Sequence, residues 1–170
     1  MADKASLICV VEIPKGSRNK YEYDSRLGAI TFERFVSASV VYPTDYGFIP
    51  ETLGLDGDAL DALVCVSEPT FPGCLVPVRP VGLFRMRDEN GSDDKVICVP
   101  PSDPNWNVYH DVEDLPLQLR EEISHFFTVY KDLDVGRCSE PIGWADRAAA
   151  LTEIEEARER HRATAGPDAT

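Results

Sequence analysis

The sequence has no long hydrophobic run and few basic residues. Its apolar stretches are short, residues 62–66 being typical, whereas a membrane-spanning helix needs about 20 consecutive apolar residues. The start of the chain shows no basic region followed by an apolar run, so we expect no secretory signal. Lysine and arginine number 17 against 30 aspartates and glutamates, a formal net charge of −13. This charge disfavours nucleic acids and anionic membranes as partners, because like charges repel.

The sequence lacks the cysteine and histidine patterns that bind zinc and the cysteine patterns that form disulfide frameworks. The cysteines number five, an odd count, and none belongs to a Cys-x-x-Cys pair. Cys9, Cys65 and Cys98 lie in apolar runs, where a thiol packs as a small hydrophobe, while Cys74 and Cys138 fall in predicted loops. The three histidines lie outside the acidic clusters described below. We therefore expect reduced cysteines, no zinc site and a cytoplasmic location.

The chain length predicts a single domain spanning residues 1–170, since domains usually contain about 100–150 residues. The pattern of the first hundred residues predicts β structure. Short apolar or alternating segments are separated by turn residues such as Pro14, Gly28 and Asn90-Gly91. No helical pattern lies between these segments, which favours a barrel or a sandwich. The predicted strands are residues 7–13, 21–23, 30–35, 62–66, 75–84 and 95–99.

The last third of the chain has helical periodicity. Apolar residues recur at helical spacing over residues 115–130, with Asp114 as the expected N-cap. A second helix is predicted over residues 146–161, and residues 164–170 are expected to form a frayed tail. The fold class is therefore α+β, a small closed sheet with helices packed on it. One face of this second helix carries the apolar residues Ala148, Leu151 and Ile154.

Three carboxylates lie within six residues in Asp56-Gly-Asp-Ala-Leu-Asp61, just before a predicted strand. A plain surface turn is one interpretation, because aspartate and glycine are common in turns. A calcium-binding EF-hand loop fails on spacing: counted from Asp56, the sixth residue is Asp61 rather than glycine and the twelfth is Ser67 rather than glutamate. An aspartyl-nucleophile phosphatase is a third interpretation, although its aspartate pair is expected after a strand rather than before one.

A second acidic cluster surrounds the predicted hairpin tip at Asn90-Gly91. A barrel would bring the two clusters together, and their mutual repulsion would be costly unless cations lay between them. We therefore expect hard divalent ions, above all Mg²⁺, held by oxygen ligands. Nearby cationic and phenolic side chains are typical of a site for a phosphate-bearing substrate.

Several sequence blocks, taken together and in order, resemble the soluble family I inorganic pyrophosphatases in their compact bacterial form. The resemblance covers about residues 6–147. It is carried by Glu12-Ile-Pro-Lys-Gly16, Asn19-Lys-Tyr-Glu22, Tyr42-Pro-Thr-Asp-Tyr-Gly-Phe-Ile49, Asp56-Gly-Asp-Ala-Leu-Asp61, Arg79-Pro-Val-Gly82, the Asp88, Asp93, Asp94 and Lys95 group, and His125-Phe-Phe with Tyr130-Lys-Asp-Leu133.

The resemblance implies an OB-type barrel of five strands with helices, several Mg²⁺ ions, hydrolysis of pyrophosphate to two orthophosphates, and a homohexamer. By position, Asp58 is implied as the base beside the attacking water, and Tyr42 as a residue of the same cavity. The implied metal ligands are Glu12, Glu22, Asp56, Asp61, Asp88 and Asp93. The implied phosphate contacts are Lys20, Arg34, Tyr46, Lys95, Tyr130 and Lys131.

Two segments depart from the family pattern. Ala59 stands where the family usually has proline, and the family tends to have lysine and tryptophan near Arg137 and Cys138. Two rival functions also remain open. One rival is a small barrel that binds oligonucleotides or oligosaccharides. The net charge and the lack of a stripe of basic and aromatic residues disfavour nucleic acid as its ligand. A metal-dependent phosphatase for organic phosphates is disfavoured by the resemblance alone.

Overall fold

A computed structural model describes residues 7–166, which contain nine β-strands and two α-helices. The strands are β1 (Leu7–Ile13), β2 (Asn19–Asp24), β3 (Ala29–Phe35), β4 (Asp45–Phe48), β5 (Asp61–Val64), β6 (Leu75–Asp88), β7 (Gly91–Ser92), β8 (Lys95–Val99) and β9 (Ser139–Ala145). The helices are α1 (Leu117–Val129) and α2 (Arg147–Ala165).

Five strands close into a ring. β1 pairs with β4 and β6, β4 with β5, β5 with β8, and β8 with β6. Only the β5–β8 pair is parallel within this ring. Closure leaves the ring without a free edge to pair with another chain. The α+β class and the five-stranded OB-type barrel with C-terminal helices are confirmed.

Strands outside the ring build the walls around one part of the barrel. The long β6 also pairs with β7 and β9, while β2 and β3 form a separate hairpin that turns at Gly28, where φ is +63°. Gly47 allows β4 to approach β1 closely, because a Cβ atom there would lie 1.9 Å from the carbonyl oxygen of Val10. This close approach fixes the position of the neighbouring Tyr46.

The interior is divided into two packed clusters. One is rich in aromatic residues and includes Phe84 of β6 with Phe126 and Phe127 of α1. The other is aliphatic and lies between the barrel and α2. Cys9, Cys65 and Cys98 are buried, Cys74 is half-buried, Cys138 is exposed, and all five thiols are free, as predicted.

The predicted apolar face of α2 is buried only at Ile154. Ala150, Ile154 and Ala157 are buried, whereas Ala148 is exposed and Leu151 is 43% exposed. Both faces repeat at helical spacing, so periodicity did not distinguish them. The small alanines at 150 and 157 let the helix lie close to the barrel, which a face containing Leu151 would prevent.

Helix boundaries and three strands also differ from the predictions. Asp114 lies in a 3₁₀ turn that Asp111 caps, and α1 follows Pro116. The reciprocal cap between Asp111 and Asp114 closes that turn and separates it from the helix. α2 continues to Ala165, so the predicted tail is wrong for residues 164–165, while residues 167–170 lie outside the described part. Strands β4, β7 and β9 were not predicted.

Neither helix of residues 7–166 is long and apolar enough to cross a membrane.

Candidate active site

A cleft of about 500 Å³ gathers most of the predicted site residues on its walls. They come from six strands or their ends, two loops and the end of α1. Arg34 and Lys95 do not belong to the lining: Lys95 is buried beneath it, and Arg34 lies opposite Lys20 in the β2–β3 hairpin. The predicted residues that line the cleft are Glu12, Lys20, Glu22, Tyr42, Tyr46, Asp56, Asp58, Asp61, Asp88, Asp93, Tyr130 and Lys131.

Carboxylate oxygens of Asp56, Asp61 and Asp93 lie within 4.8 Å of one another. The parallel pairing of β5 with β8 accounts for this arrangement, because it sets Asp61 opposite Lys95 and therefore beside Asp93. Burial raises the pKa of Asp56, and nearby Asp61 and Asp58 add to this rise while the Asp58 N–H opposes it. Three acidic oxygen donors at such spacing suit a hard divalent cation.

Lys95 lies beneath this carboxylate cluster and is 1% exposed. Its Nζ donates hydrogen bonds to Asp61 at 2.9 Å, to Asp93 at 3.0 Å and to the Tyr46 hydroxyl at 3.2 Å. Burial alone would lower the pKa of Lys95, but the two carboxylates raise it above its ordinary value. Lys95 is therefore a fixed positive charge that holds two carboxylates and a phenol in place.

The turn that carries Asp58 is stabilised by hydrogen bonds among its own residues. The amide of Asp58 donates to Asp56 at 3.1 Å, and the amide of Gly54 donates to the carbonyl of Asp58 at 2.6 Å. Gly57 has φ of +92°, a conformation that favours glycine. Asp58 thus projects into the cleft from an exposed, tightly bonded turn beside Asp56.

Glu12 connects the barrel to the β2–β3 hairpin. A register shift in β1 between Val11 and Ile13 leaves Glu12 as the extra residue of a β-bulge, and bulges redirect side chains. Its Oε2 accepts a hydrogen bond from the amide of Tyr23 at 2.7 Å. Burial raises the pKa of Glu12 to about 7, although the Tyr23 amide opposes this rise.

The cationic side chains of the cleft are paired with carboxylates. Lys20 Nζ lies 2.5 Å from Glu33, and Arg34 Nη1 lies 2.5 Å from Asp134. Lys131 Nζ lies 3.4 Å from Asp88 and 3.3 Å from Glu89. The Lys20–Glu33 pair is partly exposed and contributes modestly to stability, whereas Lys131 is buried beside Asp88.

The tyrosines are neutral hydrogen-bond donors. Burial raises the pKa of Tyr42 and of Tyr46 well above the ordinary value, and burial also raises that of Tyr130. Tyr42 packs against Tyr46 at a ring distance of 5.6 Å, and Tyr130 stacks on Phe126 at 5.1 Å. Their hydroxyls can therefore donate hydrogen bonds to an anion without adding charge.

Several residues of the cleft were missed or left without a role by the sequence reasoning. Glu89 contacts Lys131 and also accepts from the amide of Cys138 at 3.3 Å. Arg137 lines the cleft, and Glu33 lies between it and Lys20. Glu89 was detectable from its place beside Asp88 in the second acidic cluster. The partners of Glu33 were not detectable, because they meet only in the folded chain.

Comparisons with known proteins agree with this arrangement. The family model described as inorganic pyrophosphatase matches residues 9–162. The chain is 52% identical to an inorganic pyrophosphatase of Methanosarcina acetivorans over 152 residues, covering 89% of this chain and 90% of that protein. It is 51% identical to one of Streptomyces coelicolor over 156 residues, covering 92% and 96%.

A solved structure shares the fold as well as the sequence. The crystal structure of the inorganic pyrophosphatase from Thermus thermophilus has a TM-score of 0.90 to this chain, at 46% identity, and the match covers 95% of each chain. The family match, the high identity over almost the whole length and the barrel with its acidic cleft lead to one conclusion. The chain belongs to the inorganic pyrophosphatase family, enzymes that hydrolyse pyrophosphate to orthophosphate.

Proposed function

We propose that this chain hydrolyses pyrophosphate with Mg²⁺ held by Asp56, Asp61 and Asp93. The observation that carries this proposal is the carboxylate cluster itself, whose oxygens lie within 4.8 Å of one another at the cleft wall. Mg²⁺ prefers compact oxygen sites, and Ca²⁺ takes larger and looser shells, so Mg²⁺ is the expected activator. Asp88 supplies a further carboxylate on the side of the cleft facing Lys131, while Glu12 and Glu22 act partly through water.

Bound metal lowers the pKa of a water molecule and neutralises charge on the phosphate oxygens. Asp58 has the place of the general base, because it projects into the cleft from the turn next to Asp56. Its carboxylate accepts a proton from the attacking water while the oxygen of that water forms a bond to phosphorus. The bond from phosphorus to the bridging oxygen breaks, and the leaving orthophosphate keeps that electron pair.

The cationic and phenolic side chains bind the leaving phosphate. Arg34 supports this role, because among residues 7–166 its buried Nε and Nη2 have no hydrogen-bond acceptor. Lys20 and Lys131 add charge, and Tyr46 and Tyr130 donate neutral hydrogen bonds. Lys95 contributes through its hydrogen bonds to Tyr46, Asp61 and Asp93 and by adding positive charge close to the phosphate.

We also propose a cytoplasmic homohexamer that binds no nucleic acid. Free cysteines, one of them exposed at position 138, suit a reducing compartment. Leu151 and Ala148 leave an apolar strip exposed on α2, and burial of such a strip favours assembly. Light scattering over a wide concentration range tests the assembly, and a monomer throughout would contradict it.

One incubation tests the reaction. The purified chain is mixed with Mg²⁺ and pyrophosphate, and released orthophosphate is measured beside an organic phosphoester under the same conditions. We expect rapid release from pyrophosphate and little from the phosphoester. Equal or faster release from the phosphoester would favour the rival phosphatase.

A further inference from the structure

The β2–β3 hairpin contains a bulge that turns an acidic side chain toward the phosphate-binding cations. Lys20 lies opposite Arg34, and the next pair is Tyr21 with Phe32, so Glu33 is the extra residue. Neighbouring side chains of a regular strand point to opposite faces. Here Glu33 and Arg34 are both half-buried, while Phe32 and Phe35 on either side are exposed. The bulge therefore places Glu33 and Arg34 on the same side of the hairpin.

Glu33 lies among three cations. Its Oε2 is 2.5 Å from Lys20 Nζ, and its Oε1 is 3.8 Å from both Arg34 Nε and Arg137 Nη1. Lys20 makes the one close contact of the three. The two arginine contacts are longer than hydrogen bonds, so they are purely electrostatic and leave Oε1 without a directional bond to either arginine.

The proposed reaction assigns no task to this carboxylate. A phosphate group that contacts Lys20 and Arg34 must approach the charges that Glu33 already neutralises. Two anions near the same cations repel each other. Glu33 must therefore lose part of its ionic contact when a phosphate enters and recover that contact when the phosphate leaves.

We propose that Glu33 is a positioning residue that competes with phosphate for Lys20, Arg34 and Arg137. In the empty cleft it keeps the three cations together despite their mutual repulsion. After cleavage it lowers the affinity for the product orthophosphate and so speeds product release. This inference rests on the proposed function, because it requires that these cations bind phosphate.

The test is a calorimetric titration of the full chain with inorganic phosphate in the presence of Mg²⁺, comparing wild type with Glu33→Gln. We expect the variant to bind orthophosphate about three- to 150-fold more tightly, the range that follows from three partly exposed ion pairs. Product inhibition by orthophosphate should strengthen by the same factor. Both kcat and the KM for pyrophosphate should fall, because release slows while binding tightens.

Glu121→Gln is the matched control, since Glu121 is exposed on α1 and does not line the cleft. It removes the same charge and should leave orthophosphate affinity unchanged. If Glu33→Gln does not fold, Glu33→Asp is used instead. It shortens the side chain by one methylene and moves the carboxylate away from the cations, so orthophosphate should again bind more tightly, by a smaller factor. Unchanged or weaker orthophosphate binding in the folded Glu33 variant overturns the inference. A wild-type chain that neither binds orthophosphate nor cleaves pyrophosphate overturns the proposed function as well.

Discussion

The two sides of the cleft hold their charges in different ways. On the barrel wall, which we define as Glu12, Tyr46, Asp61 and Asp93, the functional groups lie on or beside ring strands. Three of them, those of Tyr46, Asp61 and Asp93, contact buried Lys95. On the outer rim, defined as Lys20, Lys131 and Arg137 of the lining together with Arg34, which lies opposite Lys20, the cations lie on a hairpin, at a helix end and in a loop.

The difference shows how an acidic protein can bind an acidic substrate. The barrel wall keeps more negative than positive charge in a fixed geometry, which favours binding of divalent cations. The outer rim balances each cation with a carboxylate such as Glu33, Asp134 or Glu89. A phosphate can replace those carboxylates without requiring the barrel to move.

The largest expected effect tests the barrel wall as a metal site. Excess chelator should abolish pyrophosphate hydrolysis, because without a divalent ion the acidic wall repels the substrate and no group activates the water. Added Mg²⁺ should restore turnover, and Ca²⁺ should not. Phosphate release is the measurement, and full turnover in excess chelator would contradict the metal assignment.

The next effect separates Asp58 from the metal ligands. Asp58→Asn removes a basic oxygen and keeps the shape, and loss of a general base costs about 10²–10⁴ in rate. Mg²⁺ binding and the melting temperature should stay close to wild type, and the pH optimum should move upward because solvent then takes the proton.

Asp56→Asn is the comparison variant. It should raise the Mg²⁺ concentration needed for half-maximal rate, because Asp56 belongs to the carboxylate cluster. Wild-type turnover in Asp58→Asn, or full recovery on adding Mg²⁺, would show that Asp58 is not the base.

The barrel wall should also depend on Lys95 for stability. Lys95→Met leaves Asp61 and Asp93 without their buried counter-ion, which costs about 3–5 kcal/mol in the free energy of unfolding. Urea denaturation without metal measures this loss, with Lys15→Met at an exposed position as the control. Saturating Mg²⁺ should recover part of the stability, because the ion supplies positive charge to the same carboxylates. A variant as stable as wild type would show that the lysine does not support the wall.

The smallest effect concerns the Asp58 turn. Ala59→Pro restores the residue usual in the family and should stabilise the protein by about 0.4–1 kcal/mol, because it restricts the unfolded chain. Turnover should change little, since Asp56, Asp58 and Asp61 are unaltered. Thermal denaturation measures the shift, and a lower melting temperature would mean that the turn cannot accommodate proline.

Strands in continuous apolar or alternating segments were predictable from the sequence, whereas short or interrupted strands were not. β1 was predicted with its observed ends, because Leu7–Ile13 is an apolar run ended by a proline turn. β9 was missed because Pro141 and Gly143 interrupt its apolar pattern, and it is held by pairing with β6, a contact distant in sequence. The buried face of α2 was found only at Ile154, because small and large apolar residues repeat on both sides.

The candidate site shows the same limit. Acidic and phenolic residues in motif blocks were identified, and most of them line one cleft. The bulges at Glu12 and Glu33 were not predictable, because a register shift depends on the pairing of two strands rather than on either strand alone. The burial of Lys95 beneath the carboxylates likewise depends on the parallel β5–β8 pair.

The most direct test of the division between barrel wall and outer rim is a calorimetric titration with Mg²⁺ alone. Wild type is compared with Asp93→Asn on the wall and Lys20→Gln on the rim. The account predicts that Asp93→Asn loses about tenfold or more in Mg²⁺ affinity, since one ligand charge is removed, while Lys20→Gln stays close to wild type. Equal loss in both variants, or loss in Lys20→Gln alone, would contradict it.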